Sequence, residues 1–435
     1  FLLFISGRRA TMGLQKISLE QSRLLRTLAP FFFAGTLLSP ALLAFDPSLA
    51  GSLAMQMGGT SEIVGFQSVA VSVSALAALA TPFLITRLKS AKKTVLLGCL
   101  GILLTILLSG AVTAFCFNVT GAWLLNILIF VYGLFYAGFV STGTAALTKA
   151  NIPSSAFTFF SPVQVASAFL LSAAMTWTMK LMINDGGMSG QLTHLVIYGV
   201  SGAMFASIWG IYAFSHLRDG AQQAQNAPAV SKQYLVEFKS AFKTKKAFLF
   251  SVCTLLFVVL WTSRGLYVSI GYETDFEAMT EMYQSAVTIS MIVKAAAFFL
   301  FGFAAKRWGN RAVLTLMAGL YVLLPLFALL LPFSAYSVVI VLANATTMSC
   351  VFLVNQLFAD SGEENYPVRY IFLTLLPLPV SLVMPAAGKI AEASPRIFQY
   401  ILLALSALLF VLMLLDFFRD RKEHFGVPYH KRPIQ

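Results

Sequence analysis

Twelve apolar runs divide this 435-residue chain, each of roughly 20 to 28 residues and so long enough to cross about 30 Å of hydrocarbon as a helix. No other feature limits the fold as much. Lipid offers no partner for backbone N–H and C=O groups, so a crossing segment must form a helix or join a closed barrel. Alternating strands of about ten residues, the mark of a barrel, are not seen. The runs lie at 25–47, 62–86, 94–116, 121–148, 156–182, 192–215, 247–270, 278–305, 311–333, 335–359, 367–390 and 396–418. The breaks between them are mostly short, which makes successive helices antiparallel neighbours. The expected fold is an all-α membrane protein of twelve transmembrane helices.

Composition agrees. Hydrophobic residues make up 58% of the chain and charged residues only 11%, where a soluble domain carries about 25% charged. The four cysteines, Cys99, Cys116, Cys253 and Cys350, lie in or at the ends of apolar runs. They are far apart in sequence, without metal-ligand or disulfide spacing, and read as small buried hydrophobes. No His/Cys cluster, phosphate-binding glycine loop or nucleophile–base set is visible. An enzyme or an ATP-driven pump is therefore not expected, nor any cofactor or metal. Residues 1–11 precede the first methionine, Met12, and place Arg8 and Arg9 after their apolar part, unlike a signal peptide. They are expected to be upstream or artificially added sequence.

One break is longer than the rest. Residues 216–246 are polar and contain AQQAQNAPAV followed by SKQYLVEFKSAFKTKK. Tyr234, Leu235, Phe238 and Phe242 fall near one helical face with lysines around it, a pattern suited to an amphipathic helix on an anionic membrane surface. A solvated linker is the simpler alternative. The organisation expected is a cytoplasmic segment 1–24, a six-helix bundle 25–215, the central loop 216–246, a second six-helix bundle 247–418 and a tail 419–435.

The net charge of +13 is distributed by topology. Arg8, Arg9, Lys16, Arg23 and Arg26 precede the first run, and Arg87, Lys89, Lys92 and Lys93 join the second to the third. Lys149 follows the fourth, the central loop is rich in lysine, and Lys306, Arg307 and Arg311 follow the eighth. Arg369 comes after the tenth, and the tail is basic again. The alternate connections hold only Lys180, Lys389 and Arg396, and the one after the seventh run is acidic. By the positive-inside rule both termini are cytoplasmic. The expected setting is a multi-pass protein of the cell (inner) membrane with lipid around it. The basic charge is explained by topology, and nucleic acid is not an expected partner.

The two halves repeat at an offset of about 220 residues, read from the first run of each half and from the cationic hairpins that end the second and eighth. The eighth run ends in GFAAKRWGNR, with Gly302, Lys306, Arg307, Gly309 and Arg311 in the spacing G-x-x-x-D-R-x-G-x-R, Lys306 replacing the acid. This resembles the loop signature of the major facilitator superfamily, carried between helices two and three and often again between eight and nine. The first copy is poorer. It retains Arg87, with Pro82 and Thr86 in place of Gly and Asp. The resemblance implies two pseudo-symmetric six-helix bundles that rock around a central site. Proton-coupled drug exporters of the family carry an Arg in helix four and a G-P-x-x-G-G run in helix five. Here those runs read ILIFVYGLFYAGFVSTG and FFSPVQVASAFLLSAA, with neither feature.

Charge inside hydrocarbon is costly and marks a cavity or a partner. Lys294 lies in the middle of the eighth run, Arg264 toward the outer third of the seventh, and Asp46 near the outer end of the first. Lys294 is expected to line the cavity and attract an anionic group, a structural pair with an acid such as Glu281 being the alternative. Arg264 would contact solute or extend to Glu273 or Asp275. Gln67, Tyr132, Tyr136, Gln164, Asn344, Asn355 and Gln356 could complete the site or serve as helix–helix hydrogen bonds. Asp46 and Glu62 are the first-half acids available to carry a coupling proton or to act as a gate. The function expected is secondary transport of a small anionic solute by alternating access, as a monomer. The alternatives are proton-coupled export of amphipathic compounds and a non-transporting receptor or lipid-handling role.

Overall fold

The computed structural model describes residues 19–152, 154–184, 189–219, 245–346 and 377–423, almost all of them helical. Ten helices among these are long and apolar enough to cross a membrane. Span one comprises α1 (Leu19–Ala41), a 3-10 turn at Leu43–Phe45 and α2 (Pro47–Gln56). Span two comprises α3 (Ser61–Ser74), a 3-10 stretch at Ala75–Ala80 and α4 (Thr81–Leu88). Span three is α5 (Ala91–Phe115), and span four joins α6 (Val119–Phe135) to α7 (Thr142–Asn151). Spans five and six are α8 (Ser154–Asn184) and α9 (Gly190–Phe214).

In the second half, span seven is α10 (Lys245–Thr262) with α11 (Arg264–Thr274), span eight α12 (Phe276–Trp308) and span nine α13 (Asn310–Leu330). The described part of span ten is α14 (Tyr336–Ala345). Span eleven contains α15 (Pro377–Ser381) and α16 (Met384–Ala393), and span twelve is α17 (Pro395–Glu423). The amphipathic stretch 234–242, together with Cys350, Asn355, Gln356 and Arg369, lies outside the described residues.

The halves are built alike. In the first, spans one and six, two and four, and three and six are packing neighbours. In the second, seven and twelve, eight and ten, and nine and twelve repeat those pairs. Leu104, Leu107, Phe303 and Leu415 on the perimeter are more than half exposed, as side chains facing lipid would be. Inside, many serines and threonines bond carbonyls three or four residues back, as Ser172 does to Ala168 and Thr176 to Ser172. Their polar atoms are thereby satisfied without leaving the helix.

The two ends of the bundle differ. At one end lie the basic connections. Lys92 Nζ donates to the carbonyls of Ala213 and Ser215 at 3.0 and 2.8 Å, capping the end of α9. Gly309 turns the chain between α12 and α13 at φ 91°, a left-handed conformation that favours glycine. Arg311 reaches Asp416 of span twelve at 3.5 Å, so this arginine of the 302–311 motif binds within its own half. Arg87 and Arg307 are exposed, and Gly302 and Lys306 lie near or at the basic end of their helices' connection.

At the opposite end the halves touch. Spans two and eleven approach backbone to backbone. A Cβ on Gly65 would lie 2.7 Å from the Met384 carbonyl oxygen, and one on Gly388 2.6 Å from that of Ser61. Ser52 Oγ and the Tyr272 hydroxyl are 2.7 Å apart, Ser61 Oγ donates to Glu273 Oε1 at 2.5 Å, and Lys389 meets Glu62 at 3.2 Å. Deeper in the bundle Ser72 bonds Ser381, and Thr288 donates to Thr176 at 2.9 Å.

Candidate functional site

A cavity of about 510 Å³ lies between spans one, four, five, six and eight. It reaches from Asp46 and Lys294 in the interior to Ile152, which caps α7 at the basic end. Most of its wall is apolar, with Phe31, Val140, Val165, Phe169, Ile208 and Met291 prominent. Ser39, Tyr136, Thr144, Thr148, Gln164 and Tyr212 supply neutral polar groups, and Asp46 and Lys294 are its charged residues.

Span one shapes this wall through a break. The residue before a proline is disfavoured in the α region, and Asp46, preceding Pro47, is extended at φ −62°, ψ 128°. The apolar run ends at that dipeptide, but the span continues through α2 to Gln56. Asp46, expected near the outer end of span one, therefore sits well inside the bundle and lines the cavity.

Span four contributes through another irregularity. Tyr136–Ser141 form one π-helical turn, and Thr142 Oγ1 donates to the carbonyl of Ala137, five residues back, at 2.7 Å. Thr81 of span two donates to the Gly138 carbonyl at 2.6 Å, which satisfies an acceptor where the helical ladder is disturbed. π turns recur at functional sites, and Tyr136 and Val140 of this one line the cavity. Nothing in the sequence YAGFVS announces the turn, and the expectations above did not include it.

Lys294 is 3% exposed. Its Nζ lies 5.7 Å from the centre of the Phe169 ring and 3.8 Å from Met291 Sδ. No carboxylate among the described residues is within ion-pair distance of it. Glu281, the alternative partner, is exposed toward the end of the same helix. Arg264 does not line the cavity. Its guanidinium meets Asp46 Oδ2 at 3.0 Å across the interface between the halves, and its Nε has no partner among the described residues. It reaches neither Glu273 nor Asp275. Glu273 accepts from Ser61, and Asp275 caps α12 through the Ala278 N–H.

The neutral candidates divide. Gln164 lines the cavity, and its amide donates to the Phe31 carbonyl at 2.6 Å through space that Gly35 leaves vacant. Tyr132 is stacked between Phe45 and Tyr136, with ring centres 4.2 and 5.8 Å away, and backs the wall that Tyr136 faces. Gln67 donates to the Ala50 carbonyl and Asn344 to Ile340, both away from the cavity. Glu62 sits at the touching end with Lys389.

The fold is similar to that of several solved membrane transporters. A variant of the nucleoside transporter NupG superposes with a TM-score of 0.68 at 15% identity, covering 90% of this chain and 99% of that one. The human organic anion transporter MFSD10 gives 0.61 at 14% identity over 90% and 99%. The E. coli fucose:proton symporter FucP gives 0.56 at 14% over 91% and 97%. At these identities the likeness is one of fold. No family model matches the sequence, and no curated protein matches it. The twelve-helix, two-bundle plan expected from the apolar runs and the 302–311 motif is the fold observed.

Proposed function

We propose that the protein is a secondary transporter that moves a small anionic solute by alternating access, with Lys294 as the primary anion ligand. One observation carries the reading: a buried ammonium opens on the interior cavity with no carboxylate partner among the described residues. An unpaired buried charge is costly, and an anion entering the cavity would relieve that cost. Arg264 is assigned a different part. Its charge is met by Asp46, so it joins the halves and touches solute only when that pair opens. A transporter whose likeness includes an organic anion carrier at the level of fold agrees with the reading.

The positive-inside bias assigns the basic end, and with it both termini, to the cytoplasm of a cell membrane. The cavity then belongs to an inward-open state, closed on the far side by the contacts between spans one, two, seven and eleven. Asp46 is the coupling group in this scheme, because it is the acid of the cavity wall. Its protonation would release Arg264 and let the far side open, which links solute exchange on that side to a proton.

Uptake of labelled anionic, neutral and cationic solutes into proteoliposomes tests this, with and without an imposed pH gradient. Saturable anion uptake that responds to the gradient and is lost in Lys294→Gln is expected. A preference for neutral or cationic solutes would make Lys294 a structural residue and end the anion assignment.

A further inference from the structure

The chemistry of the cavity narrows the class of anion, given the reading of Lys294 above. Two observations bear on it. The first is formal charge. Asp46, Arg264 and Lys294 are the charged groups in or directly bonded to the wall among the described residues, and together they leave one positive charge. With Asp46 and Arg264 neutralising each other, a singly charged solute balances Lys294. A dianion would bring a second charge into the interior with no counterpart short of breaking the cross-half pair.

The second is shape and polarity. The volume of about 510 Å³ equals the share of roughly 17 waters at ~30 Å³ each. A tetrahedral inorganic anion on Lys294 would leave most of it to water against an apolar wall. Phe31, Val140, Ile152, Val165 and Ile208 line the part that extends away from Lys294 toward the basic end, and burying apolar surface there is favourable. Pockets of this kind hold an apolar body and orient it with a few polar groups. The polar groups are in place. Lys294, flanked by the face of Phe169 and by Met291, lies at the inner end, and Thr144 and Thr148 lie along one side.

We propose that the solute is a monoanionic organic acid with an apolar body, its carboxylate on Lys294 and its body in the arm lined by Val140, Val165 and Ile208. This excludes inorganic phosphate, sulfate and dicarboxylates as preferred solutes. It also separates the anion ligand from the arginine. Arg264 holds the far end shut while Lys294 holds the solute.

The test uses the full-length protein in detergent and in proteoliposomes, with ligand-induced shifts in melting temperature and competition for uptake as readouts. The probes are octanoate, 3-phenylpropionate, indole-3-acetate and acetate, the alcohol analogues of the first three, an organic cation (tetraethylammonium), succinate, sulfate and inorganic phosphate. At least one apolar monoacid should bind tenfold or more tightly than its alcohol analogue and than every dianion. Lys294→Gln should abolish the preference of acid over alcohol. Val165→Thr, nearly isosteric, should weaken the apolar acids severalfold and leave acetate unchanged in a protein that still melts cooperatively. Tightest binding of succinate, sulfate or phosphate would overturn the monoacid class while leaving an anion carrier in place. Tightest binding of an alcohol or a cation would overturn both readings. Absence of any shift in a protein that still melts cooperatively would also reject the monoacid class.

Discussion

Spans one and seven open the two halves of the molecule, and both are broken, but by different means. In span one the break is wide. α1 ends at Ala41, a 3-10 turn follows, and Asp46 is pushed into an extended conformation before Pro47. In span seven it is a hitch at Ser263, which keeps near-helical angles of φ −71° and ψ −8°. There Thr262 and Ser263 turn their hydroxyls back on the carbonyls of Val258 and Leu260, a habit that bends helices. Each break carries a charge, and the charges are opposite. Asp46 and Arg264, 218 residues apart in sequence, meet at 3.0 Å. Ser52 and Tyr272, at a separation of 220, meet on the next turns outward. The repeat is thus preserved in backbone plan and in offset, while the side chains at equivalent places have become complementary. A duplicated architecture can bring its own equivalent points together and use them as the joint between its halves.

The comparison can be broken first at the charges. Arg264→Met removes the guanidinium from the Asp46 carboxylate, and Asp46→Leu removes the carboxylate from the guanidinium. Each single change is expected to cost about 3–5 kcal/mol in equilibrium unfolding from mixed micelles, while the double variant recovers most of the loss. Single losses below about 1 kcal/mol would mean that the two breaks are not coupled through this pair.

A second test wedges the joint from above. Gly388→Val places side-chain carbon against the Ser61 backbone. Overpacking of this kind costs about 1–3 kcal/mol, and here it should also part spans two and eleven. Labelling of a Ser61→Cys variant by an impermeant thiol reagent should rise from near zero to easily measured. Unchanged labelling, with the protein folded, would show that the joint yields elsewhere.

The smallest effect is expected at the hydroxyl pair. Ser52→Ala and Tyr272→Phe should each cost about 1 kcal/mol, with most of that shared in a double-mutant cycle. Additive losses would reduce this pair to a coincidence of packing.

How much of this could be read beforehand depended on range. Lys294 could be placed because the energetic cost of a mid-membrane ammonium is local and leaves few readings. The twelve runs and the 302–311 motif likewise depend on composition and short spacing. Asp46 was legible as a charge but not as an interior one. Its apolar run stops at Pro47, and only packing against span seven shows that the helix resumes. The partner of Arg264 lies 218 residues away, and nearby acids such as Glu273 were the natural candidates from sequence alone. Gln67 and Asn344 looked no different from Gln164. Which amide faces a cavity is decided by helix rotation, and spans that are apolar all round carry little record of it. The π turn of span four left no sequence mark, because Tyr136 and its neighbours are ordinary helix residues in any window.

The glycine seam between spans two and eleven also bears on how the molecule can be interfered with. Where two backbones touch, there is no side-chain crevice for a foreign molecule to grip, and any ligand for that face must be large, flat and content with loops. Toward the basic end runs an apolar-walled recess. Compounds that plug this conformation would therefore be sided. They would arrest the protein when delivered to the compartment bathing its lysines and arginines, and would be inert from across the bilayer unless they could first diffuse through it.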